Sequence, residues 1–141
     1  MHCFGCRFLI AACLVAGFRT LSAAQTVGLT VDVPFQFNVG ETVLPAGHYV
    51  ILVPEDDAVK LLGQNEMTIK VKANHVSAPP RDGAGMVSFN CYGNRCFLSR
   101  FWSPRANIGK ELLKSHLEKD IAERGDQLTT IALKAKPYEL Q

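Results

Sequence analysis

The stretch from Met86 to Trp102 constrains the fold more tightly than any other part of the chain. Val87, Phe89 and Cys91 alternate with Ser88, Asn90 and Tyr92. That is the period of two expected of a half-buried strand. Gly93-Asn94 is a two-residue turn of the kind that closes β-hairpins, and Arg95 to Trp102 returns as the partner strand. With this turn Tyr92 pairs with Arg95, and Cys91 falls opposite Cys96. A pair one step from the closing pair is non-hydrogen-bonded, with Cα atoms about 4.5 Å apart. Disulfides accept about 4.4–6.8 Å. A structural Cys91–Cys96 disulfide is therefore expected. Its stabilisation is modest, about 2 kcal/mol in the loop-entropy account, because the ring spans few residues. A redox pair usually has two residues between its cysteines, and a zinc site would need two more ligands. Neither is expected, and no cofactor or metal is called for.

The same hairpin carries Tyr92, Arg95, Arg100 and Trp102. Aromatic and arginine side chains are the usual anchors of interfaces and of sugar stacking, so these four are the candidate binding residues. Simple alternation puts Arg100 and Trp102 on the face of Cys91, and Tyr92 and Arg95 on the other. Trp102 reads as a core residue.

Turn signals recur through the rest of the chain at short intervals, which favours many strands over a few helices. Val27, Leu29, Val31 and Val33 share one face of a strand, with Pro34 marking an edge position or a bulge. Phe35, Phe37 and Val39 continue the alternation to Gly40. Leu44-Pro45-Ala46-Gly47 is a turn. Residues 48–53, 58–62 and 67–72 read as strands, with Met67, Ile69 and Val71 facing inward. Residues 77–85 form a surface loop.

Ser115-His116-Leu117-Glu118 is a capping box, Leu117 and Ile121 are an apolar i, i+4 pair, and Gly125 is a good stop. A short helix is expected at 116–124, after a strand at 110–114 and before a last strand at 128–135. The expected fold is all-β and mainly antiparallel. About eight short strands form a sandwich or partly open barrel, with one short C-terminal helix.

Residues 1–24 read as a signal peptide. Arg7 supplies the positive start, Phe8–Gly17 the apolar run, and Ser22-Ala23-Ala24 the small residues before a cut at Gln25. The run is too short to span a hydrocarbon core. A lipid-attachment box at Ile10-Ala11-Ala12-Cys13 is an alternative reading. The mature chain, 25–141, is then a single domain. Removing the leader takes Arg7 and Arg19 from the 15 Lys and Arg, leaving 13 against 13 Asp and Glu. A neutral chain argues against nucleic acid and against a polybasic membrane surface. Secretion or a periplasmic location follows from the leader.

His48, His75 and His116 lack metal-ligand spacing from one another, and Glu55-Asp56-Asp57 reads as a solvated turn. No nucleophile elbow or glycine-rich phosphate loop is present.

Four blocks carry a resemblance. They are Val33-Pro-Phe-x-Phe-x-Val-Gly40, Leu44-Pro-Ala-Gly-x-Tyr49, Phe89-x-x-Tyr-Gly-x-x-x-Phe-Leu-Ser99 with Trp102, and Gly109-x-x-Leu-x-x-Ser-x-x-Glu118. Together they resemble a family of small secreted β-rich proteins common in acidobacteria-like soil bacteria. The resemblance implies export and a mainly β fold, and implies no activity. The chain departs from it at Cys91 and Cys96, where a polar or aromatic pair is more typical.

The expectation is a non-enzymatic exported module with a binding or structural role, its partner an envelope or extracellular protein or glycan. Three alternatives stand beside it. One is a carbohydrate- or envelope-binding module using the hairpin aromatics. Another is a hydrolase with an unrecognised site. The third is an assembly protein lending an edge strand, with 27–33 the candidate.

Overall fold

The computed structural model describes residues 27–53, 58–64, 67–77, 82–104 and 108–138. The leader and Glu55-Asp56-Asp57 lie outside the described residues. Eleven strands and one helix follow in order: β1 (Val27–Val33), β2 (Phe37–Val39), β3 (Thr42–Leu44), β4 (Gly47–Val53), β5 (Ala58–Leu62), β6 (Thr68–Val76), β7 (Met86–Tyr92), β8 (Arg95–Ser103), β9 (Ile108–Leu112), α1 (His116–Glu123), β10 (Leu128–Lys134) and β11 (Lys136–Pro137). The expected all-β architecture holds. The eight expected strands become eleven because residues 37–44 form two short strands of their own and residues 136–137 form a further one.

Hydrogen bonding runs β10-β7-β8-β9-β6-β5-β4-β1-β11, with β2 joined to β3 and to β8. All pairings are antiparallel except the single parallel contact of Asn38 with Phe97. Two corners fold this long sheet back on itself. At the first, Thr68–Lys72 of β6 pair with β5 while Ala73–Val76 pair with β9. At the second, β10 and β11 are one run interrupted only by Ala135. Its first part pairs with β7 and its last residues pair with β1. Ala135 donates its N–H to the Gly85 carbonyl at 2.9 Å, holding the chain at the turn. The hydrogen-bond ladder does not close, so the form is a partly open barrel.

β1 is not an edge. It is paired along its whole length with β4 and along part of it with β11, which removes 27–33 as a strand to lend. Pro34 follows the strand instead of interrupting it, where its missing N–H costs no ladder bond. Met67 is exposed just before β6, while Ile69 and Val71 pack on the core as expected.

The interior is filled by alternate residues of the surrounding strands. Leu29, Val31 and Val33 meet Tyr49, Ile51, Val59 and Leu61 from one part of the sheet, and Val87, Phe89, Leu98 and Phe101 from the other. Phe37 bridges the two. Its ring meets Tyr49 edge-on at 5.0 Å and Phe89 at 5.3 Å, and Phe35 meets Phe89 at 5.1 Å. Such crossed rings add to the burial energy.

Phe37→Ala is expected to lower the unfolding free energy by about 3–5 kcal/mol in urea titration. Val43→Ala, on an exposed position of β3, should stay within about 0.5 kcal/mol of the parent.

Candidate functional site

The β7–β8 hairpin forms in the expected register, with Tyr92 opposite Arg95 and Cys91 opposite Cys96. Gly93 takes φ of 62°, the positive value that both favoured hairpin turns require at their first position. Cys91 and Cys96 are bonded as a disulfide, with Cα atoms 4.0 Å apart. Both cysteines face the core.

Further along the hairpin the simple alternation fails. Ser88 pairs with Arg100 but Phe89 pairs with Leu98, so Ser99 is an extra residue in β8. A bulge of this kind reverses which side the following residues face. Cys96, Leu98 and Phe101 therefore all join the main core. Arg100 and Trp102 turn to the opposite side, the side of Tyr92 and Arg95. The expectation that Arg100 and Trp102 share the face of Cys91 is corrected by this one residue. All four candidate binding residues belong to one outer face.

On that face the two aromatic rings are covered. Tyr92 is 4% exposed and Trp102 6%. Helix α1 lies over Tyr92 and Phe97 through Ile121, with Leu117 and Ala122 at the margin. Trp102 lies across Gly109 of β9, where a Cβ would approach the indole to 2.6 Å. The absence of a side chain at 109 is what admits the ring. With both rings covered, neither offers an open surface for stacking a sugar. Arg95 is exposed at the tip, and Arg100 makes a half-exposed ion pair with Glu111 at 3.4 Å.

The helix forms as its capping residues dictate. Ser115 accepts a hydrogen bond from the Glu118 N–H at 3.2 Å, and Gly125 ends the helix at φ of 80°. The Glu118 side chain, 4% exposed, reaches the hairpin. Its Oε1 accepts from Asn90 Nδ2 and from the Tyr92 hydroxyl, both at 3.2 Å. Of the expected capping box only the Ser115 half forms; the Glu118 side chain is instead the polar latch that fixes α1 to β7. Burial, then the Glu118 carboxylate and the bond to it, push the Tyr92 hydroxyl above its ordinary pKa.

The histidines are separate. His48 Nδ1 and Asp32 Oδ1 are 2.7 Å apart on directly opposed, exposed positions of β4 and β1. His75 lies on β6 opposite Lys110, and His116 is the first residue of α1. Asp56 and Asp57 lie outside the described residues. Among the described residues no cluster of three His, Cys, Asp or Glu could hold a metal ion. No helix among them is long and apolar enough to cross a membrane.

Two inward polar groups escaped the sequence reading. Lys110 is 3% exposed, and its opposition to Phe101 places it on the core side of β9 with Leu112. Ser103, 1% exposed, has a hydroxyl without a hydrogen-bond partner. The signal was available for Lys110: alternation along Ile108-Gly-Lys-Glu-Leu112 puts 108, 110 and 112 on one side.

Glu118→Ala should strand the buried Tyr92 hydroxyl and the half-buried Asn90 amide and cost about 2–3 kcal/mol. Hydrogen exchange should accelerate across 116–123 while the centres of β7 and β8 stay protected. A separate expectation concerns alkali. Because the folded Tyr92 holds its proton above the ordinary tyrosine pKa of 10.0, its contribution is complete below that value. It is lost as pH rises from there towards the folded pKa. Tyr49, raised by burial, acts in the same direction. Stability measured from pH 9 to 12 should fall, and less steeply in Tyr92→Phe.

Comparison with known proteins adds no relative: no family model, no curated protein and no solved structure matches the chain.

Proposed function

We propose that the chain works outside the cytoplasm as a binding or structural module of the cell envelope or its surroundings, and performs no chemistry of its own. The Cys91–Cys96 disulfide is the observation that carries the reading. Such bonds persist in oxidising compartments and are rare in a reducing cytosol. The leader-like residues 1–24 and the resemblance to small secreted proteins point the same way. Two ionisable side chains at the hairpin's outer face also have structural work. Glu118 latches the helix and Arg100 ties β8 to β9. The partner is a protein or a glycan, met by surfaces other than the covered aromatics.

Expression of the full chain with a C-terminal tag tests this. The expected product is exported, begins at Gln25 by mass spectrometry, has no free thiol at 91 or 96, and retains an envelope component after cross-linking and capture. Cytosolic protein with an intact leader and free thiols would overturn the reading. So would a hydrolase activity lost in His48→Ala.

A further inference from the structure

The layer outside the sheet is held differently from the core. Tyr92, Phe97 and Ile121 form a cluster of their own, with Leu117 and Ala122 at its margin, separate from the cluster that fills the barrel. Helix α1 supplies one buried apolar side chain to it, Ile121. Among the described residues the hydrogen bonds from its side chains to the sheet end on a single atom, Glu118 Oε1. The chain on either side is exposed, at Leu113 and Lys114 before the helix and from Arg124 to Leu128 after it. Few buried apolar contacts between exposed connections mark a segment that opens without the rest of the fold.

The way α1 opens follows from its length and from Glu118. Its eight residues fall short of the about 12–15 that an isolated helix needs in water. Away from the sheet, the Glu118 carboxylate loses Asn90 and Tyr92, and Ile121 and Leu117 lose the surface they pack on. Only the bond from the Glu118 N–H to Ser115 Oγ is left to hold the first turn. An undocked α1 therefore melts instead of swinging aside as a rigid rod.

Beneath it runs a row across three strands. Arg95, Tyr92 and Leu128 are directly opposed on β8, β7 and β10. Phe97 stands beside them, its ring 6.0 Å from that of Tyr92. The helix covers Tyr92 and Phe97 but leaves Leu128 50% exposed, so the apolar row is longer than its cover.

We propose that α1 is an order–disorder lid. It leaves the sheet by unfolding over 113–127 while the barrel and the Cys91–Cys96 disulfide stay intact, and it uncovers the row of Phe97, Tyr92 and Leu128. Order–disorder of a short segment is a recurrent switching device. While folded, the helix is an autoinhibitory cover on that row. Neither export nor the identity of a partner enters this inference.

Amide hydrogen exchange and slow tyrosine nitration of the oxidised protein, read together, test it. Amides 119–123 should exchange as one group, at least about a hundredfold faster than those at the centres of β7 and β8. Nitration of Tyr92 should follow the same opening, with the buried Tyr49 as the unreactive control. Ser115→Ala weakens the helix without touching Asn90 or Tyr92. It should raise both rates about fivefold. Glu118→Ala should raise both about thirtyfold or more. Three results would overturn the proposal. One is Tyr92 becoming reactive while amides 119–123 stay protected, the mark of a rigid lid. Another is exchange in α1 only together with β7 and β8. The third is a Ser115→Ala protein in which exchange quickens and Tyr92 does not follow.

Discussion

One extra residue in a strand decides which side of the sheet everything after it faces. Ser99 does this for β8. Before it, Cys96 and Leu98 fill the core while Phe97 meets the helix. After it, Phe101 still fills the core although it is an odd number of residues from Leu98. Without the bulge, Trp102 would be driven inward and Phe101 outward, and the close pairing of the indole with Gly109 would be lost. The bulge lets a single strand be apolar on both sides and serve two packing layers at once. That explains why β8 is buried at seven of its nine positions.

The outer layer is thin, and a single carboxylate organises it. Glu118 stands at the third position of α1, where its backbone is already tied to Ser115. In a complete capping box its side chain would return to the cap. Here it reaches across to Asn90 and Tyr92. The helix therefore starts and docks through the same residue, so its formation and its placement on the sheet are coupled. Tyr92 needs this partner, since a buried hydroxyl without one is costly. Ile121 and Leu117 supply the apolar share of the contact.

Features set by adjacent residues were legible in the sequence. Gly93-Asn94 announced the hairpin and its register, and the register announced the disulfide. Ser115 and Glu118 announced the helix start, and Gly125 its end. The bulge was not legible, because Ser99 differs in no local way from any other strand serine. It is defined by what lies across from it. The same holds for the rank of β1 in the sheet. Val27–Val33 reads equally well as an edge or a central strand, and only pairing with the distant Lys136 and Pro137 settles which it is. The four candidate side chains were correctly gathered on one hairpin. Their faces and their burial depended on Ser99 and on how α1 folds back, neither of which is a property of the hairpin alone.

The corner at Ala135 has a consequence for assembly in time. Residues 128–134 complete one end of the sheet and 136–138 fasten the other, so both ends wait for the same late stretch of chain. A polypeptide that is synthesised or threaded from its N-terminus can form the hairpin and the β4–β6 meander early, because those contacts are local. It cannot seal the seam until this C-terminal run is free to lie down. Until then the inner residues of β1 and β7 stand open to whatever surrounds them, and vulnerability to proteases and to aggregation is concentrated in that interval.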